Sequence, residues 1–239
     1  MKLFYIRYKT LYKVVLALVI LMVILVFSII GIKSRSSKET FYNDDVIYKG
    51  TKDTKTIAFA CNIDWGEEHI PKMLDIFKEN KINITFFPTG RWAEKNPDLL
   101  KDIHKSGNEI GNHGFTHRDY DKLDYQQNKE EISKSHDTIK GIIKVEPKHF
   151  APPSGAFNDS TVKAAKELNY NVIMWSVDTI DWRKDSTRDI IVDRVVSKAH
   201  NSAIVLMHPT EETVKALPIM IQSLKEKGYK IGKISDIID

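Results

Sequence analysis

From Thr56 to the C-terminus the chain alternates short apolar runs with amphipathic stretches, and this rhythm limits the folds open to it. The apolar runs are Thr56 to Cys61, Ile84 to Phe87, a short one at Ile110, His149 to Ala151, Val172 to Val177, Ala203 to Met207 and Tyr229 to Ile231. Runs this short, bounded by polar turns, read as buried strands. Between them, 68–80 places Ile70, Met73, Leu74 and Phe77 at helical spacing, with Pro71 in the first turn. A second helix starts at Asn96-Pro97-Asp98 and stops at Gly107. Further helices are expected over 125–143, from Asp159, over 187–198, over 211–227 and from Ser235. Pro218 predicts a kink or break in the 211–227 helix.

Regular strand–helix alternation with short connections predicts a parallel sheet wrapped by helices. The chain has no G-x-G-x-x-G and no phosphate loop. Seven predicted strands favour a small, distorted (β/α) barrel over an open nucleotide-binding sheet. In such a fold ligands gather at the carboxyl ends of the strands.

The N-terminus has a different character. Residues 1–13 carry Lys2, Arg7, Lys9 and Lys13 and no acid, and Val14 to Ile32 contains no charge. At 1.5 Å per residue that run spans about 28 Å, close to the hydrocarbon core of a bilayer. It is longer than a signal-peptide core and lacks a small-residue cleavage site. The expectation is one N-terminal transmembrane helix at 14–32, with residues 1–13 cytoplasmic by the positive-inside rule. Residues 33–55 read as a linker to an extracytoplasmic domain at 56–239. Beyond position 38 the chain holds 29 basic and 32 acidic residues, so no basic nucleic-acid face is expected. The single Cys61 excludes an internal disulfide and reads as a buried thiol.

Strand ends are where chemistry is expected, and they are rich in it. Asn62-Ile63-Asp64-Trp65-Gly66 follows the first run. Asn112-His113-Gly114-Phe115-Thr116-His117 follows the third, with two imidazoles four residues apart. Such a pair can aim both rings at one divalent ion. Pro152-Pro153-Ser154-Gly155, then Asp178-Thr179-Ile180-Asp181-Trp182, then His208-Pro209 follow the next three runs. A zincin protease needs Glu after the first histidine, and that residue is Gly114. No G-x-S-x-G elbow is present for serine chemistry.

Three of these motifs, in this order, carry a family resemblance: H-x-x-x-H at His113 and His117, D-x-x-D-W from Asp178 to Trp182, and L-x-H from Leu206 to His208. Over about 55–239 the chain resembles the polysaccharide deacetylases, the NodB-homology domain of carbohydrate esterase family four. Its nearest likeness is the membrane-anchored branch of spore-forming Firmicutes. The resemblance implies a divalent metal, usually zinc, and removal of acetyl groups from N-acetylated sugars of peptidoglycan, chitin or similar polymers. It implies His113 and His117 as metal ligands, and His208 as the general acid for the leaving amine. Asp181 would tune His208, and Trp182 and Leu206 would wall the acetyl methyl, with Pro153 and Trp65 also at the substrate.

Two departures stand out. The family's first motif is normally T-F-D-D-G. Aligned from the strand, Asn62 and Ile63 fall on the two Asp positions; aligned from Gly66, Asp64 and Trp65 do. Either way one carboxylate remains, so Asp64 is expected as base or metal ligand. Glu67 or Glu68 is the alternative source of a carboxylate. The Arg that opens the family's third motif is Ala151 here. These losses leave open a second expectation, a glycan-binding or envelope-assembly protein on the same fold.

Overall fold

The computed structural model describes residues 45–239, together with Leu18, Leu21 and Met22, which are helical. The basic segment, most of the expected anchor and the first part of the linker lie outside the described residues. Among the described residues no helix is long and apolar enough to cross a membrane. The unit from Asp44 to Asp239 is compact in itself.

Its strands are β1 (Val46–Ile47), β2 (Thr56–Ile63), β3 (Thr85–Pro88), β4 (Glu109–Ile110), β5 (His149–Phe150), β6 (Asn171–Ile173), β7 (Val177–Asp178), β8 (Ile204–Met207) and β9 (Lys230–Gly232). The helices are α1 (Ile70–Asn80), α2 (Gly90–Lys95), α3 (Pro97–Lys105), α4 (Tyr125–Ile143), α5 (Asp159–Glu167), α6 (Arg188–Lys198), α7 (Glu211–Glu226) and α8 (Ile234–Ile237). All strand pairs are parallel.

One sheet runs β4-β3-β2-β8-β7, with β9 also on β2; the other runs β1-β6-β5. Two isolated bridges join them: Asn112 to Phe150, and Lys49 to Ala203. The ring of strands therefore closes into the expected distorted barrel. β2 explains the packing. Its odd positions Ile57, Phe59, Cys61 and Ile63 are buried against the helical layer. Its even positions Ala58 and Ala60 belong to the interior cluster with Phe87, Ile173 and Ile204. Small side chains fit there because a narrow barrel leaves little room at its axis. The same parity continues to Asn62, then to Asp64 beyond the strand end.

Three sequence expectations change. Residues 46–50 are no linker. Val46 and Ile47 pair with β6, and the amide of Gly50 donates to the carbonyl of Ser202, so this segment completes the barrel wall. The run 172–177 divides between two sheets, as β6 and β7. Nine strands are described where seven were expected. Helix α7 is not broken at Pro218, because its buried face, Val214, Leu217, Met220, Ile221 and Leu224, stays packed on both sides of it. That packing outweighs one missing N–H bond.

Candidate active site

The carboxyl ends of the strands open on one cavity of about 380 Å³. Asn62, Asp64, His113, His117, Leu206 and His208 line it, and Trp65, Trp175, Asp178, Trp182 and Ser154 complete the wall. Asp181 lies directly behind His208. The sequence expectation that these segments share one face is met, with one exception. Pro153 is buried in a short turn and does not line the cavity; its neighbour Ser154 does.

His113 follows β4 and is almost fully buried. Its Nδ1–H donates to the carbonyl of Ala151 at 2.7 Å, which leaves Nε2 bare. The residue standing where the family has Arg thus orients a histidine through its backbone. Burial, reinforced by the neighbouring His117, holds the His113 ring neutral, with its pKa pushed down to about 3. The two rings lie 5.1 Å apart, centroid to centroid, edge to face. The loop between them is tightly built. Gly114 has φ of 72°, and a Cβ there would meet the Tyr120 hydroxyl at 2.0 Å. Glu131 on α4 accepts hydrogen bonds from the amides of Phe115 and Thr116 and from the Thr116 hydroxyl. His117 itself sits in the left-handed region at φ 54°. Ser154 and Ile180 share that conformation. Such strain persists only where surrounding contacts over-determine it, and it gathers at sites.

The second half of the site is a relay. His208 Nδ1–H donates to Asp181 Oδ1 at 2.7 Å, and the His208 amide donates to Oδ2 at 2.7 Å. The Thr213 hydroxyl adds 2.6 Å to Oδ2. Three donors to a buried carboxylate fix the imidazole's tautomer and leave Nε2 for the cavity. The indole of Trp65 lies parallel to the His208 ring, within 7°. Trp65 and Trp182 are 46% and 60% exposed, which suits aromatic faces that meet a ligand. Asp178, also in the wall, is raised from its ordinary value by burial.

Asp64 lines the cavity, but its carboxylate is already engaged. Arg91 Nε donates to Oδ1 at 2.8 Å, Arg91 Nη2 grips Oδ2, and Thr89 Oγ1 donates to Oδ1 at 2.7 Å. Burial opposes ionisation of Asp64, but these bonds outweigh it and hold the carboxyl below its usual range. Asn62 does face the cavity, and its Oδ1 is buried with no hydrogen-bond partner. Glu67 and Glu68 are exposed on a short 3₁₀ turn outside the wall and supply no carboxylate.

A catalytic zinc takes three protein ligands and keeps one position open. Among the described residues no group of three or more His, Cys, Asp or Glu side chains is placed to hold a metal ion. The residues do not fit the expected metal: two imidazoles converge, and the aspartate is paired elsewhere. Asp64, expected as base or metal ligand, stands in the cavity wall with its carboxylate held by Arg91 and Thr89. Three features escaped sequence reasoning: the Arg91–Thr89 clamp on Asp64, Thr213 on Asp181, and Glu131 under the histidine loop. Each partner lies on a different element, and only Thr213, in the first turn after His208-Pro209, sits close enough in sequence to signal its role.

Comparison with known proteins agrees with this architecture. The family model for polysaccharide deacetylase matches residues 49–173. The chain belongs to the polysaccharide deacetylase family. Among relatives, YlxY of Bacillus subtilis, itself named uncharacterized, is 42% identical, over 81% of this chain and 60% of YlxY. The present chain thus spans less than two thirds of that relative. The peptidoglycan-N-acetylmuramic acid deacetylase PdaA of Bacillus subtilis is 30% identical, over 81% of this chain and 75% of PdaA. The crystal structure of BA3943 from Bacillus anthracis, described as a CE4 family pseudoenzyme, superposes with a TM-score of 0.78 at 40% identity, over 80% of this chain and 68% of that one. A BA3943 mutant described as having restored enzymatic activity matches with the same TM-score. Relatives named as peptidoglycan deacetylases therefore stand beside a named pseudoenzyme.

Proposed function

We propose that this polysaccharide deacetylase domain binds an N-acetylated amino-sugar polymer of the peptidoglycan type and removes acetyl groups slowly. The observation that carries this reading is the Asp181–His208–Thr213 unit opening into the same cavity as His113 and His117. Amide hydrolysis expels an amine, and the amine leaves only when protonated. His208 Nε2 is the group that delivers that proton, and Asp181 stabilises the imidazolium that precedes delivery. Trp65 and Trp182 bracket the sugar faces, and Leu206 closes on the acetyl methyl. The half of the site that activates water is the incomplete half. Asp64 is paired with Arg91, and Asn62 stands at the cavity where a carboxylate would accept a proton.

A second reading is favoured by that same Asn62 and by the missing third ligand: glycan binding without turnover. One experiment separates the two. The domain is incubated with N-acetylglucosamine oligomers and with acetylated glycan strands, and both acetate and binding heat are measured. Acetate release that disappears in His208→Ala supports deacetylation. Binding heat with no acetate selects the second reading, and neither signal on any glycan removes both.

In this reading residues 14–32 hold the domain at the outer face of the cell membrane. Nineteen uncharged residues after four basic ones support that placement. Recovery of the full chain from the soluble fraction after lysis without detergent would contradict it.

A further inference from the structure

Asp64 lines the same cavity as His113 and His117. Its oxygens are nevertheless occupied. The Arg91 guanidinium meets both of them as a fork, and Thr89 adds a third donor. Fork-to-carboxylate pairing combines charge with two parallel hydrogen bonds, and lysine cannot reproduce its geometry. Arg91 does not reach Asp64 by chance of rotamer alone. Thr89 caps α2, so its hydroxyl is fixed at the helix start. The amides of Gly90 and Arg91 donate to the carbonyls of Gly114 and Phe115, at 2.9 and 3.1 Å. The backbone that launches Arg91 is therefore bolted to the loop that carries both histidines. A divalent cation approaching Asp64 would have to displace this guanidinium or lie beside a like charge.

We propose that Arg91 is a built-in cation that occupies both oxygens of Asp64 and so withholds the third ligand from the histidine pair. Arg91 is a positioning residue: it acts through Asp64 and touches no reacting atom. Its consequence for turnover rests on the reading in the previous subsection; its consequence for metal binding does not.

The test is calorimetric titration of the folded domain with zinc, repeated with cobalt to read the ligand set from its visible spectrum. Wild type, Arg91→Gln, Arg91→Lys and the double variant Arg91→Gln/Asp64→Asn are compared. Arg91 is half-exposed, so the substitutions leave the core intact, and thermal melts confirm folding. Arg91→Gln is expected to bind at least about tenfold more tightly than wild type, the scale on which a ligand's outer partners act. Arg91→Lys keeps the charge, loses the fork, and should gain less. The gain should vanish in the double variant. Submicromolar zinc binding by wild type, unchanged in Arg91→Gln, would overturn the proposal, and so would a gain that survives loss of Asp64. Tighter zinc in Arg91→Gln without acetate from any variant would keep this assignment and remove the deacetylase reading.

Discussion

His208 owes its place to three bonds on one neighbour. Asp181 accepts from its ring, from its amide and from Thr213, and an amide there keeps one acceptor oxygen where the carboxylate offers two. Asp181→Asn should lower stability by about 1–3 kcal/mol, measured by urea melts, because a buried donor loses its acceptor. It should lower acetate release at least about a hundredfold, because His208 loses its tautomer lock. An unchanged rate would remove His208 from the chemistry. At this scale much was legible in advance. His113, His117, Asp181, Trp182 and His208 all follow apolar runs, Leu206 lies near the end of one, and fold logic alone brings strand ends together. The fate of Asp64 was not legible. Its partner Arg91 lies 27 residues away, and nothing local tells a clamped aspartate from a free one. Asn62 was visible as a departure, yet its buried, unpartnered oxygen required the neighbours on every side.

The elements were read from period and punctuation, and most stood. The capping of α4 by Asp124, with Gln127 returning the bond, and of α5 by Asn158 shows why those helices start where they do. The errors share a cause. A two-residue strand such as β1 has no period to detect, and Pro218 is overridden by a face of packed side chains. The C-terminal helix shows another long-range tie. Glu109 on β4 bonds Ser235 and Thr85 and lies 3.4 Å from His149 Nε2. Burial would raise its pKa, but His149, Ser235 and Thr85 outweigh burial and hold it at about 2. A carboxyl depressed in the folded state contributes stability that is complete above its ordinary value of 4.5 and lost as pH falls toward 2. Glu109→Gln should therefore flatten the acid limb of a stability–pH curve between about 4.5 and 2. Parallel acid limbs for wild type and variant would show that Glu109 is not the group responsible.

Closure is a property of the whole molecule. β1 joins β6 on one side, and Lys49 bridges to Ala203 at the start of β8 on the other. Removing that segment opens the ring and exposes Val172, Ile173 and Ile204, which are now almost fully buried. A domain begun at Thr56 should melt at least about 2–4 °C below one begun at Asp45, the shift that a loss of about 1 kcal/mol produces in a domain of this size. Equal melting temperatures would make β1 decorative. Closure also fixes what the molecule can do, because Asn62, Asp64, His113, His117, Leu206 and His208 all open on one cavity at one end. That cavity has a finished proton-delivery half and an unfinished water-activating half. Asn62 is the position at which the second half can be completed: it lies on the interior parity of β2, faces the cavity, and has no partner to lose. Asn62→Asp would add a carboxylate that Arg91 does not clamp. The decisive measurement is acetate release from N-acetylglucosamine oligomers, with zinc present, by wild type, Asn62→Asp and Asn62→Asp/His208→Ala. The account predicts a rise of at least about tenfold in the single variant and its loss in the double. A single variant no faster than wild type, or a double variant as fast as the single, would contradict it.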